Sequence, residues 1–160
     1  MTLGLPKCKF NQSEIEFFGM KFSAQGMSPT SDKVKALIEA PPPTSVSEVR
    51  SFLGMANYSA SFIQNYSETT APLRLLTRKN ARFEWTEQCR KEFEQLKTAM
   101  ASPQVMSYYD PTKPTKIIVD GSKYGLASML IQLESNTGKQ KVVRYDSRST
   151  TSPESRYGQI

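Results

Sequence analysis

The apolar period of this chain changes twice, and those two changes decide what it can fold into. From Glu14 to Ser23 the apolar positions Ile15, Phe17, Met20 and Phe22 partly alternate, as in strands with one covered face. Gly19 interrupts the register and Gln25-Gly26 supplies a turn, so a short hairpin is expected. A bare two-stranded hairpin is marginal in water. The expectation is that it leans on a support missing from this chain.

From Pro29 the period becomes helical. Val34, Leu37 and Ile38 share one face until Pro41-Pro42-Pro43 stops the helix. Ser45 and Glu48 stand in the positions of a capping box, and Val46, Val49, Phe52, Leu53 and Ala56 follow as an apolar stripe. Phe62, Ile63 and Tyr66 continue that pattern, and Pro72 opens a short helix through Leu73, Leu75 and Leu76. Thr86 caps a last helix in which Cys89, Phe93, Leu96 and Met100 recur at i, i+4, i+7 and i+11, with Pro103 marking its end.

Residues 102–115 carry Pro103, Pro111 and Pro114 and are expected to be a linker. The period then returns to two. Lys116–Asp120, Leu126–Gln132 and Lys139–Tyr145 read as strands, separated by turns at Gly121–Gly125 and Ser135–Gly138. Short turns imply an antiparallel meander. The fold class is therefore α+β, a helical middle followed by an antiparallel sheet.

Composition narrows the chemistry. The 160 residues carry a net charge of +6 and no histidine. A basic balance favours polyanionic partners, because lysine and arginine displace counterions from phosphates. Without histidine there are no Ser–His or Cys–His nucleophile pairs and no imidazole metal ligands. Any chemistry must run on carboxylates and hard metal ions. Cys8 and Cys89 are far apart and are expected to be two buried intracellular thiols. Nothing has the length of a membrane span or the build of a secretory signal. No membrane partner is expected, and the expected location is intracellular, in a cytoplasmic particle or the nucleus.

Several motifs carry a family resemblance. The run Glu48-Val49-Arg50-Ser51-Phe52-Leu53-Gly54-Met55-Ala56-Asn57-Tyr58, followed by Phe62-Ile63 and Ala71-Pro72-Leu73, resembles Pol polyproteins of Ty3/gypsy-type long-terminal-repeat retrotransposons. Phe17-Phe18-Gly19-Met20 is similar to that family's Phe-Leu-Gly-His hairpin, with Met20 in place of His. The stretch Asp120 to Gln132, then Tyr145-Asp146-Ser147-Arg148 and Glu154-Ser155-Arg156-Tyr157, resembles the opening of its ribonuclease H domain, with Gly121 and Asp146 where Ala is usual.

The resemblance implies a domain order. Residues 1–28 would end the reverse transcriptase palm in a primer-grip-like hairpin, and 29–101 would form the thumb and connection. After the linker, 116–160 would begin a ribonuclease H-like domain. The implied nucleic-acid contacts are Phe18, Gly19, Met20, Lys33, Arg50 and Asn57. Asp120 matches the first of four carboxylates that hold two magnesium ions in that family. The others are expected beyond Ile160, and Asp146, Glu134 and Glu154 are not expected to replace them.

The implied parent is an RNA-directed DNA polymerase with ribonuclease H activity, whose cycle includes DNA integration. Its partners would be an RNA–DNA hybrid or template-primer duplex and the rest of the polyprotein. The polymerase aspartates would lie upstream of Pro6-Lys7-Cys8-Lys9-Phe10, so this chain alone is expected to be inactive. The alternative is a non-catalytic, retroelement-derived module that binds nucleic acid or protein.

Overall fold

The computed structural model describes residues 8–101, 104–134 and 137–157. The expectations that involved Pro6-Lys7, Pro103, Ser135-Asn136 and Ile160 lie outside the described residues. The architecture is α+β. Strands β1 (Glu14–Phe17), β2 (Met20–Ser23) and β3 (Gly26–Pro29) precede helices α1 (Ser31–Ile38), α2 (Val46–Tyr58), α3 (Tyr66–Thr69), α4 (Ala71–Leu75) and α5 (Glu87–Ala101). A second sheet follows, of β4 (Thr115–Gly121), β5 (Gly125–Leu133) and β6 (Gln140–Ser149). Both sheets are antiparallel meanders, in the orders β1-β2-β3 and β4-β5-β6.

The first sheet corrects the expected hairpin in two ways. Gly19 does not interrupt a strand; Phe18 (φ 46°) and Gly19 (φ 68°) form the two-residue loop between the paired Phe17 and Met20. Positive φ at both loop positions is the type I′ arrangement that matches strand twist. A third strand then adds to β2, and the support is present in the chain. Met27 and Met106 exchange both backbone hydrogen bonds, each 2.8 Å. Gly26 makes this approach possible, since a Cβ there would lie 2.1 Å from the Met106 carbonyl oxygen at a φ of +134°.

The helices close around one core. Val49, Phe52 and Ala56 of α2 meet Cys89, Phe93, Leu96 and Met100 of α5, with Leu37, Ile63, Tyr66 and Leu73 completing the cluster. The Phe93 ring lies 4.5 Å from that of Phe52 and 5.7 Å from that of Trp85, centroid to centroid. The capping box at α2 forms with a variation. The Glu48 amide donates to Ser45 Oγ (3.3 Å), but the Glu48 carboxylate accepts from Thr44 N (2.8 Å) and Thr44 Oγ1 (3.0 Å). Those bonds hold the Glu48 carboxyl below its ordinary value. At α5, Thr86 Oγ1 accepts from the Cys89 amide at 3.3 Å.

The continuous helical pattern expected through Phe62 and Tyr66 breaks instead. Ala60–Phe62 is a 3₁₀ turn, and Asn65 (φ 53°) enters α3 in the left-handed conformation. The break turns Phe62 away from the helical core to a second cluster with Met106 and Tyr145, against which Met20, Met27, Met129 and Val142 pack. A β-bulge assembles that cluster. Val142 and Tyr145 are three apart, which in a regular strand puts them on opposite faces. The register shift at Leu130/Ile131 pairs Tyr145 with Met129 and Val142 with Ile131, so both reach the same face.

The proline-bearing segment before β4 is tied down on both sides. The Ser107 amide donates to the Val142 carbonyl at 2.8 Å, and Tyr108 Oη donates to the Ser23 carbonyl at 3.0 Å. Gln132, which is buried, binds Asp110 in both directions, donating from Nε2 to the carbonyl (2.8 Å) and accepting from the amide at Oε1 (2.9 Å).

The register divides the apolar residues of the second sheet between its two faces. Ile117 pairs with Leu130 and Ile118 with Met129. Met129 and Ile131 therefore turn toward the helices, and Ile131 is buried, while Ile117 (68%) and Val119 (73%) stay exposed. Of the cysteines, Cys89 is buried but Cys8 is only partly so. No helix among the described residues is long and apolar enough to cross a membrane.

Two substitutions test this packing by urea unfolding. Phe93→Ala is expected to remove about 3–5 kcal/mol, the usual cost of an aromatic-to-alanine cavity. Gly26→Ala is expected to remove more than about 1 kcal/mol, because neither its φ nor its space suits a side chain.

Candidate functional site

Asp120 lies one residue before the end of β4, opposite Ala127 on β5, and is exposed. Its Oδ1 accepts from the Gly121 amide at 2.9 Å. The acids Asp146, Glu134 and Glu154 are each engaged by a cation. Asp146 is not at a strand end as its expected boundary implied; β6 runs on to Ser149 and places it mid-strand opposite Ser128, on the face away from Asp120. Its carboxylate pairs with Arg144 Nε at 2.7 Å. Glu134 pairs with Lys141, and Glu154 with Arg148. No group of three or more His, Cys, Asp or Glu able to hold a metal occurs among the described residues. Asp120 supplies one hard oxygen ligand where two clustered magnesium ions need several. The described donor set does not fit such a centre.

The hairpin residues are better gathered. Phe17 and Phe18 are exposed (60% and 80%), edge to face at 4.4 Å, on the tip of the first sheet. A bulky residue such as Phe18 rarely adopts positive φ. Behind the tip, Gly19 lies against Lys33 and Tyr58, and a Cβ at Gly19 would come within 2.9 Å of Lys33 Cε. The Lys33 ammonium sits 5.4 Å from the Tyr58 ring centroid. The Gly19 carbonyl accepts from the Thr30 amide at 3.0 Å, which fixes α1 against the hairpin. Met20 is turned inward against the second cluster. Asn57 is exposed near the C-terminus of α2. Arg50 is drawn elsewhere, its Nη2 donating to the Thr77 carbonyl at 3.1 Å.

The later motif residues do something that the sequence did not signal. Ser147 Oγ accepts from the Ser67 amide (3.0 Å), Arg74 Nη1 donates to Ser149 Oγ (3.1 Å), and Tyr145 Oη donates to Gln104 Oε1 (2.8 Å). A Cβ at Gly125 would meet Ser67 Cβ at 3.3 Å. These positions dock the second sheet on α3, α4 and the segment before β4. Arg148 grips Glu154 through two bonds, of 2.8 and 2.7 Å, and the Thr151 amide donates to the same carboxylate at 2.8 Å. Those bonds, Arg148 first, hold the Glu154 carboxyl down at about 2.

Known proteins decide what this arrangement belongs to. Residues 85–160 match the family described as the RNase H-like domain found in reverse transcriptase. The retrovirus-related Pol polyprotein from transposon 412 of Drosophila melanogaster is 34% identical over 149 residues, covering 93% of this chain and 12% of that protein. The Pol polyprotein from transposon opus of the same fly is 32% identical, covering 100% of this chain and 17% of that one. This chain is a retrotransposon Pol polyprotein segment.

The transposon Tf2-3 polyprotein of Schizosaccharomyces pombe is 30% identical over 132 residues, covering 82% of the Pol segment and 10% of the relative. The segment thus spans between a tenth and a fifth of these relatives' lengths. Its fold is shared with foamy viral protease-reverse transcriptase. The structure of that protein in complex with RNA/DNA hybrid has a TM-score of 0.75 at 23% identity, over 92% of the Pol segment and 20% of the viral chain. The complex with dsDNA gives 0.73, over 92% and 30%.

The Arg148–Glu154 grip carries a pH signature. A depressed folded-state value means the contact stabilises fully above the ordinary carboxyl range and is lost as pH falls from about 4.5 toward about 2. Carboxyl NMR titration is expected to place Glu154 near 2, and Arg148→Ala to raise it toward the ordinary range.

Proposed function

We propose that the Pol segment comes from a Ty3/gypsy-type element whose complete polyprotein copies RNA into DNA and hydrolyses the RNA strand of the hybrid. In this reading residues 1–28 end the polymerase palm, 29–101 form thumb and connection, and 116–160 open the ribonuclease H domain. The cycle of the parent ends in DNA integration, and the protein works inside the cell, in a cytoplasmic particle or the nucleus. The observation that supports the reading best is collinearity. An aromatic hairpin, a helical core, a pinned strap and a meander carrying Asp120 follow in one order over a fold shared with a viral reverse transcriptase.

The role of the segment follows from its own residues. Phe18 at the hairpin tip and the Gly19 backbone press on a sugar-phosphate chain, with Lys33 beside them, Met20 anchoring the hairpin from within and Asn57 contributing from the exposed end of α2. Arg50 contributes by holding α2 to the Thr77 loop, with phosphate contact secondary. In the parent, Asp120 would supply one of several carboxylates needed to hold magnesium, which would supply charge stabilisation at the scissile phosphate. The departures from the family pattern at Met20, Gly121 and Ser59 to Ser61 support a second reading, a non-catalytic retroelement-derived binding module. The two readings part on whether the coding frame carries a Tyr-x-Asp-Asp turn upstream and a glutamate-bearing helix downstream.

In either reading the 160-residue chain binds an RNA–DNA hybrid weakly, without sequence preference and with steep salt dependence. Fluorescence anisotropy is expected to show Lys33→Ala reducing the salt slope by about one. Phe18→Asn is expected to weaken binding about tenfold, equivalent to ~1.4 kcal/mol, with the melting temperature unchanged because asparagine tolerates positive φ. No magnesium-dependent cleavage is expected. Cleavage that disappears in Asp120→Asn, or hybrid binding insensitive to salt, would contradict the proposal.

A further inference from the structure

Four of the chain's seven methionines meet at one place. Met106 of the strap is buried, and Met20, Met27 and Met129 pack around it beside Phe62 and Tyr145. Both sheets contribute. Met20 and Met27 lie on β2 and β3 of the first, and Met129 on β5 of the second. The registers turn them toward one another. Met27 pairs with Phe22, two residues from Met20, so both methionines stand on one face of the first sheet. Met129 pairs with Tyr145, which places it on the strap side of the second.

Exposure divides this cluster. Met106 is 1% exposed, whereas Met20, Met27 and Met129 are only partly buried, so a small oxidant can reach the rim and not the centre. The polar groups around the cluster are already committed. Met27 and Met106 exchange both backbone bonds, the Ser107 amide donates to Val142, and the Tyr145 hydroxyl donates to Gln104. A new acceptor placed here must take a donor from one of these contacts or stay unpaired, and either course costs stability.

We propose that the rim methionines are a reversible modification site through which peroxide loosens the joint between the two sheets. The sulfur lone pair of Met20, Met27 or Met129 attacks one oxygen of hydrogen peroxide. The O–O bond breaks, an S–O bond forms, and the second oxygen leaves as water after taking the proton of the first. Sulfur is oxidised by two electrons and peroxide is reduced by two. The sulfoxide is polar and no longer packs on Phe62 and Tyr145 as a thioether does. Met27 is the sharpest point, because it carries a rim sulfur and also the backbone pair that fixes Met106. A methionine sulfoxide reductase with a thiol reductant restores the thioether, so the device resets. Met100, fully buried in the helical core, stays out of reach. The inference goes beyond the functional reading and does not rest on it.

Graded hydrogen peroxide on the full chain tests it, with peptide mass spectrometry locating sulfoxide and amide hydrogen exchange reading the structure. Met55, 42% exposed on α2 and outside the cluster, is the internal reference, and its oxidation should change nothing at the strap. Sulfoxide at Met20, Met27 or Met129 should speed exchange at Met106 and Ser107 by about tenfold, with α5 changed less than about twofold. Replacing all three by leucine conserves volume and should abolish the response. Methionine sulfoxide reductases should restore slow exchange where dithiothreitol alone, which acts on Cys8 and Cys89, does not. If the triple variant fails to fold, wild-type strap exchange plotted against rim sulfoxide content makes the same test. Rim sulfoxide with unchanged strap exchange, or a rim that resists peroxide while Met55 is oxidised, would overturn the proposal. So would a folded leucine variant that responds like the wild type, recovery with dithiothreitol alone, or release of the strap and α5 together.

Discussion

Two consecutive residues hold the two sheets in one body. Met106 exchanges backbone hydrogen bonds with Met27 of the first sheet, and Ser107 donates to Val142 of the second. The Met106 side chain fills the space between them, against Phe62 and Tyr145. Each sheet alone is thin. The first is three short strands with an exposed β1, and the second has an exposed edge at β4. A strap bonded on both sides gives each sheet a neighbour, and the buried polar groups of that strap are met, as Gln132 shows by binding Asp110 in both directions.

This arrangement explains where the recognisable motif residues are used. Tyr145, Ser147 and Gly125 sit where the second sheet meets the strap and the short helices, and Arg148 closes on Glu154 just beyond. Much of what makes the sequence identifiable is therefore docking geometry. Asp120 takes part in none of these contacts and accepts a bond from the adjacent amide. A residue so placed is cheap to retain or lose for folding, so its meaning comes from what surrounds it in a complete polyprotein.

How much was legible in the sequence follows the same division. The α5 stripe was plain because Cys89, Phe93, Leu96 and Met100 keep strict helical spacing and are all buried. Thr86 and Ser45 announced their helices through capping chemistry that is local by nature. Features that depend on a distant partner were not visible. The bulge that aligns Val142 with Tyr145 leaves no local mark beyond a broken alternation. The strap looked like a linker because prolines dominate its composition, while the decisive Met106 and Gln132 depend on residues far along the chain. The hairpin tip was misread at one point, since Phe18 is an unusual residue for positive φ and Gly19 alone suggested an interruption. Among the site residues, Gly19 and Lys33 come together, whereas Arg50 is drawn to Thr77 by a carbonyl that no periodicity foretells.

The strap is structural, and native-state hydrogen exchange reads this out. The amides of Met27, Met106 and Ser107 each donate across the junction. If the strap unites the sheets, these three amides exchange through the same opening that releases the α5 core around Phe93 and Leu96. Exchange of Met106 and Ser107 at the rate of a free peptide, with α5 still protected, would contradict the account.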